Sequence, residues 1–500
     1  MRSRTILRTY NKIQAVMHKA IKTETILSPD TSRILFAPFA LDDFELVETI
    51  ISDIATMDEA AAEKELSSMS GGQPPDERLK LFLKKTYDDI KANFKLVFSF
   101  SPVKELLAGS YFSKEYSFES AGISYPSMMW HPDQSGLSDG SRRFIMSLIA
   151  RGEGNSSIIT FRSGTVDSQT RFSFDRPSPR VFIPDIQPDP FYEKILFSKK
   201  LGEIGFENNF TKAVFAPLQE HFTFSELTSA VRNTLGVGSS TVFIFKETAE
   251  AIIALAKSNF KLNYPPESDI SERALFPASA LEPNGTGDCR FVSFTEDDGS
   301  LTHYATYFEY YGHTVIPQIV ETKDFLSFKV NTLNGPEIQN RQLALFPKKI
   351  EGYYAMLSRQ DNRSIYIMFS DLLHFWYTKK LLISPKYPWE LIRISGCCPP
   401  IETEAGWLVL THGVGAMRKF CISAFLLDLH DPTRVIGRLR EPLMEPELSA
   451  ASPYMPGFIF TCGAQVHNDK LIIPYSISDL ASGIAVADMS QLLSDLTRNA

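Results

Sequence analysis

Apolar residues recur at helical spacing in the first part of this chain and in short strand-like runs later. Phe44, Val47, Ile50, Ile51 and Ile54 share one helical face, as do Leu79, Phe82, Tyr87, Ile90 and Phe94. Ser70-Gly71-Gly72-Gln73-Pro74-Pro75 between them reads as a loop. Residues 1–108 are therefore predicted to form a helical N-terminal region. Helical periodicity returns over about 210–235 and 247–260, which predicts a helical insertion at about 190–265.

The remainder reads as β-structure, and it repeats. Asp139-Gly140, Asp298-Gly299, Glu351-Gly352, Ala405-Gly406 and Asn468-Asp469 each precede an aromatic or aliphatic strand. From position 299 through 352 and 406 to 469 the intervals are 53, 54 and 63 residues. The longer interval from 140 to 299 contains the second helical stretch. Units of this length with several strands match β-propeller blades. The expected fold is mainly β, a five-bladed β-propeller over 109–490 with a helical N-terminal region and a helical insertion. A β-sandwich with coincidentally spaced hairpins is the alternative. Propeller loops converge on a central channel, which would gather Asp288, Arg359, His412 and Asp479 from distant parts of the sequence.

Composition narrows the function classes. A chain of 500 residues allows roughly two to four domains and a large core. The 37 Phe and 18 Tyr suit β-rich packing. A net charge of −8 argues against a nucleic-acid partner. No apolar run approaches the ~18 residues of a membrane span, and the basic start lacks an apolar h-region, so neither a membrane partner nor a secretory signal is expected. Five cysteines without a CxxC pair suit free thiols in a reducing cytoplasm. No dinucleotide loop, P-loop or metal-ligand spacing implies a cofactor.

The most chemically loaded stretch is residues 401–418. It holds Glu402, Glu404, an apolar strand ending in Thr411-His412, three glycines and Arg418. Glu402 and Glu404 fall on one strand face by alternation. His412 follows the strand directly and precedes Gly413, a placement that suits a ligand-facing side chain, with a satisfied structural histidine as the alternative. Arg359 ends the run Tyr354-Ala355-Met356-Leu357-Ser358, which would put it at a channel mouth. Arginines bind phosphate bidentately, and Arg162, Arg359, Arg393 and Arg418 are candidates beside His412.

Further segments join this stretch: Gly109-Ser110-Tyr111-Phe112-Ser113-Lys114-Glu115-Tyr116, His131-Pro132-Asp133-Gln134, Gly152-Glu153-Gly154, Ser271-Glu272-Arg273, Ala344-Leu345-Phe346-Pro347, Pro388-Trp389-Glu390, Leu426-Leu427-Asp428-Leu429 and Pro474-Tyr475-Ser476-Ile477-Ser478-Asp479. In this order the chain resembles glycoside hydrolase family 130, the β-mannoside phosphorylases and β-mannosidases. It looks like the long-chain branch with a helical N-terminal extension, from about Leu107 onward. The resemblance implies a five-bladed propeller and cleavage of β-mannosidic bonds with inversion, by phosphorolysis to mannose 1-phosphate or by hydrolysis. The acid position falls on Asp288 in Gly287-Asp288-Cys289-Arg290. The phosphate- or water-binding set is Arg162, Arg359, Glu402, His412 and Arg418, and substrate contacts are Arg290, Trp389 and Asp479. Glu402 pulls toward hydrolysis and His412 toward phosphorolysis. Inorganic phosphate would be the co-substrate and a β-mannoside oligosaccharide the substrate, with a homo-oligomer through the N-terminal helices left open.

The chain departs from the family near the expected site. Gly287 stands where the family has Glu, Cys289 where it has Pro or Ala, Tyr125 for Asn, Asn155 for His, and Arg341-Gln342 for Lys-Gly or Lys-Asp. Glu447-Leu448-Ser449-Ala450-Ala451-Ser452-Pro453 lacks the usual acidic run, and Tyr454-Met455-Pro456-Gly457-Phe458 is altered. A catalytically weakened propeller that binds a glycan or a protein partner is therefore the competing reading. A channel around Asp288 holding Arg359, His412 and Asp479 would favour the enzyme; Tyr125 or Phe458 filling it would favour the binder.

Overall fold

The computed structural model describes residues 19–498 except 40, 42, 70–74, 95–98, 153–156, 183, 237–238, 277–285, 312–313, 339–341 and 448–456. Most of the expected 70–75 loop, Glu153-Gly154, Asn155, Arg341 and the altered 448–456 segment therefore lie outside the described residues.

Five antiparallel sheets follow one another along the chain. The first runs Gly122–Trp130, Arg142–Arg151, Ser157–Val166, Phe172–Phe174. The second runs Arg290–Thr295, Leu301–Tyr311, Thr314–Thr322, Ser327–Thr332, and is widened by Phe260–Asn263 and Asp185–Pro188. Ala344–Leu345, Tyr354–Ser358, Ile365–Ser370 and Lys380–Ile383 form the third. Arg393–Gly396, Gly406–Val414, Phe420–Leu427 and Val435–Arg438 form the fourth. The fifth comprises Ile459–Phe460, Lys470–Ile477 and Ala481–Asp488, and takes its outer strand, Ile21–Leu27, from the other end of the sequence.

The repeated turns occupy equivalent places. Gly140, Gly299, Gly352 and Gly406 all have positive φ, as do Asn468 and Asp469. Each begins the hairpin that leads into the second main strand of its sheet. The residue types tolerate the left-handed region at these positions, so local turn chemistry sets the register of each sheet.

Apolar clusters join the sheets in sequence. Ile145, Ile149 and Phe161 of sheet one pack with Phe291, Ala305 and Phe328 of sheet two. Phe294 and Ile319 of sheet two meet Met356 and Met368 of sheet three. Leu357 and Ile367 of sheet three meet Trp407 and Val409 of sheet four, and Leu408 and Ile422 of sheet four meet Leu471 and Ile473 of sheet five. Ile472 and Ile484 of sheet five then pack with Ile123 and Met146 of sheet one. The clusters thus return to where they began.

The helical periodicities are realised. Helix Phe44–Thr56, capped by Asp43, buries Val47, Ile51 and Ile54, and helix Glu77–Asn93, capped by Asp76, buries Leu79, Leu83 and Tyr87. The N-terminal part also supplies two strands that this periodicity does not announce: Ile21–Leu27, and Ile34–Pro38 beside Ser113–Ser117. The expected 210–235 helix is interrupted. Asn209–Phe215 ends, His221–Phe222 pairs with Tyr192–Glu193, and Thr223 with Glu226 forms a capping box that starts Phe224–Leu235 afresh.

Sheets one and five meet at a tight seam. Ser127 bridges Gly463, and Cys462 N–H donates to Pro126 O at 2.9 Å. A Cβ at Gly463 would lie 2.2 Å from Ser127 Oγ. Gly463→Ala should therefore overpack the seam and lower unfolding stability by about 1–3 kcal/mol, read as a lower urea midpoint. An unchanged midpoint would show that the seam yields freely.

Candidate functional site

A cavity of about 410 Å³ draws its wall from all five sheets or the segments entering them. Tyr125, Arg151 and Ser157 come from sheet one, and Thr286, Asp288 and Tyr310 from the segment before sheet two and its second strand. Gln342 and Arg359 flank the first strands of sheet three. Sheet four adds Arg393, Arg418 and Phe420, and Phe458 and Phe460 complete the wall from sheet five.

Asp288 is held by its neighbours. Gly287 N–H donates to Phe308 O at 2.8 Å, and Ser157 Oγ donates to Thr286 O at 2.9 Å. A Cβ at Gly287 would meet the Tyr310 ring and hydroxyl at 3.4 Å, an ordinary packing contact. Arg290 donates to Asp288 Oδ2 and, through Nε, to Cys397 O at 2.8 Å. It is buried beneath Phe460 and does not line the cavity, so it grips Asp288 and not a substrate.

Arginines predominate among the charged side chains of the wall. Four arginines, Arg151, Arg359, Arg393 and Arg418, face the cavity with Asp288 as the carboxylate among the described lining residues. Arg359 is only 5% exposed, and reduced solvent screening around such a group strengthens its pull on an anion. Arg151 is engaged by Asp479, whose Oδ2 lies 2.5 Å from Nη1. Asp479 also accepts from Ser124 Oγ at 2.9 Å. Burial raises the Asp479 carboxyl pKa, against the opposing effect of Arg151 and Ser124.

The other expected site residues lie elsewhere. Arg162 does not reach the cavity: both oxygens of buried Glu119 hold its Nη2 at 2.6 Å, and Arg33 is the second cation on that carboxylate. Glu402 is exposed and pairs with Lys348 at 2.7 Å. Trp389 is half-buried, donates through Nε1 to Arg440 O at 3.0 Å and stacks near Tyr387. Its ring lies 2.2 Å from where a Gly413 Cβ would be, so Gly413 serves packing. Tyr307 is in the core.

His412 sits one layer behind the wall. It is 1% exposed, stacks on Phe460 with ring centres 3.5 Å apart, and accepts from Thr461 N–H through Nε2 at 3.0 Å. Burial, then Arg290, Arg393 and Arg359, holds its pKa well below the usual range, so it is a neutral imidazole. The expected quartet thus divides: Asp288 and Arg359 share the cavity, while His412 and Asp479 support its wall. Tyr125 and Phe458 are both wall residues and narrow the space without filling it.

Sequence reasoning overlooked Arg151, Tyr310 and Phe460 and treated Tyr125 and Gln342 only as departures. Arg151 carried a usable signal, because it ends a strand next to a hairpin just as Arg359 follows one. The five free cysteines are buried, with burial pushing Cys398 up to about 12 and Cys421 up to about 11. None of these thiols is a nucleophile at neutral pH.

A family model described as beta-1,4-mannooligosaccharide phosphorylase, of glycoside hydrolase family 130, matches residues 223–498. A 1,2-beta-oligomannan phosphorylase of Thermoanaerobacter sp. (strain X514) is 38% identical over 155 residues, 31% of this chain and 52% of the relative. A beta-1,2-mannobiose phosphorylase of Listeria innocua is 31% identical over 231 residues, 44% of this chain and 63% of the relative. The chain thus spans between about half and two thirds of these relatives' length. The solved beta-1,2-mannobiose complex of a Listeria innocua beta-1,2-mannobiose phosphorylase superposes with a TM-score of 0.43 at 17% identity, covering 76% of this chain and 94% of that one.

Two outcomes follow from the buried charges. Glu119→Gln leaves Arg33 and Arg162 uncompensated and should cost about 3–5 kcal/mol of stability, whereas Glu402→Gln at the exposed Lys348 pair should cost less than about 1 kcal/mol; equal costs in urea unfolding would refute the distinction. For His412 the folded pKa lies below the unfolded value of 6.5. Its contribution is complete above that value and is lost as pH falls from it toward the folded pKa. His303, pushed down to about 4 by burial, acts in the same direction. Between pH 7.5 and 5.5, His412→Gln should lose about 1 kcal/mol less stability than the parent, and an identical pH slope would count against a buried neutral His412.

Proposed function

The chain belongs to glycoside hydrolase family 130, and from that premise we propose that it cleaves β-mannosidic bonds by inverting phosphorolysis, releasing mannose 1-phosphate. The observation that carries this reading is the four-arginine wall facing Asp288 in one cavity. A phosphate dianion needs several cationic donors, and guanidinium groups supply them in paired geometry. Arg359, Arg393 and Arg418 would hold the phosphate while Arg151 and Asp479 brace the wall. Asp288 would give its proton to the bridging oxygen, directly or through a sugar hydroxyl. The bond from the anomeric carbon to that oxygen breaks as a phosphate oxygen bonds to the carbon from the opposite face. The relatives named phosphorylases support the same choice. Hydrolysis would need a second carboxylate to activate water, and Glu402, the candidate for it, is tied to Lys348 on the surface.

The same premise supports a five-bladed β-propeller over 109–490, with the helical region 1–108 lending a strand to the last blade. Five consecutive sheets and apolar clusters that run from each to the next and back to the first favour it. Five buried free thiols support a reducing compartment such as the cytoplasm. A binding protein with weakened catalysis is the second reading, favoured by Tyr125 and Phe458 in the wall.

With β-1,2- and β-1,4-mannobiose, activity should require phosphate and yield mannose 1-phosphate. Asp288→Asn should lower kcat/KM at least about 10²–10⁴-fold, and Arg359→Lys should raise the phosphate KM more than the sugar KM. Free mannose formed equally fast without phosphate would overturn phosphorolysis. Binding without turnover would select the second reading.

A further inference from the structure

Gln342 lines the same cavity as Asp288, just ahead of the strand Ala344–Leu345, and three features coincide on it. Its backbone is left-handed, with φ of 69°, although it carries a Cβ. Its side chain is almost enclosed, the residue being 8% exposed. Its Oε1 is buried and has no hydrogen-bond partner among the described residues. The neighbouring Leu343 is fully buried and its carbonyl accepts from Thr306 Oγ1 at 2.5 Å, so the segment is pinned in place.

A left-handed non-glycine residue and a buried, unpartnered acceptor each oppose folding. Leucine would occupy similar space without the second cost. Their coincidence at a cavity wall is explained if the acceptor is used when the cavity is filled. We infer that Gln342 is a specificity residue whose side-chain carbonyl accepts a hydrogen bond from one hydroxyl of the sugar bound beside Asp288. The inference rests on the phosphorolytic reading of this cavity and deepens it. A carbonyl oxygen offers only lone pairs, so it complements a hydroxyl donor and not a phosphate oxygen. Arginines and amide thereby divide the cavity between anion and neutral sugar. The substrate class is a neutral glycoside with a free hydroxyl at that position.

The experiment compares wild type, Gln342→Leu and Gln342→Glu on β-mannobiose and on a series deoxygenated one hydroxyl at a time on the non-reducing mannose. Gln342→Leu should lower kcat/KM on the parent sugar about 10- to 100-fold. For one deoxy sugar it should cause little further loss, because the partner hydroxyl is already gone. Its urea midpoint should equal or exceed that of wild type. Gln342→Glu keeps the acceptor and should restore most of the sugar KM while raising the phosphate KM by charge repulsion. Equal losses on every sugar, or a fall in activity that tracks a fall in stability, would overturn the inference alone. A wild type that neither binds nor cleaves any β-mannoside would overturn the reading of the cavity and this inference with it.

Discussion

Every other feature of the cavity depends on the seam between sheets five and one. Gly463 lets Ser127 come close enough for the two segments to bridge, and Ile21–Leu27 adds an outer strand to sheet five. Polar contacts cross the same seam: Tyr125 N–H donates to Ser476 Oγ at 2.7 Å, and Arg151 and Ser124 both engage Asp479. If the seam opened, Tyr125 and Arg151 would part from Phe458 and Phe460, and the wall would lose a side. Asp479 is thus a structural clasp whose carboxylate is consumed by its neighbours.

Electrostatics around the cavity are arranged by depth. At the wall, several guanidinium groups face a single aspartate. One layer back, Arg290 grips Asp288 from behind, and Arg162 and Arg33 share Glu119. The imidazole of His412 is held neutral because a further positive charge among these arginines, out of water, would be costly.

Three of the twelve non-glycine residues with positive φ among the described residues lie in the cavity wall. Tyr125, Gln342 and Arg418 are non-glycine residues with φ of 54°, 69° and 54°, and all three line the cavity. Such conformations persist only where surrounding structure enforces them, and they gather where a site must be held in shape. Two of the three, Tyr125 and Gln342, are positions that sequence reasoning set apart from the resembled family's pattern.

The five turns and the helical faces were legible in the sequence because both arise from local chemistry, a residue tolerant of positive φ or an apolar period of 3.6. The pairing of Asp288 with Arg290 was legible because the two lie close along the chain. Selection among the arginines was not. Arg151 and Arg162 lie on neighbouring strands of one sheet, yet Arg151 ends its strand at the cavity and Arg162 lies mid-strand against Glu119. Likewise the 210–235 helix is broken by a strand pair with Tyr192–Glu193, a partner distant in sequence. The sequence alone determined the helical faces, the five turns and the family to which the chain belongs, but not the strands Ile21–Leu27 and Ile34–Pro38. Only the tertiary structure decided which side chains share the cavity, because that depends on where each strand ends and which sheet it meets, and these are set by long-range pairing and packing.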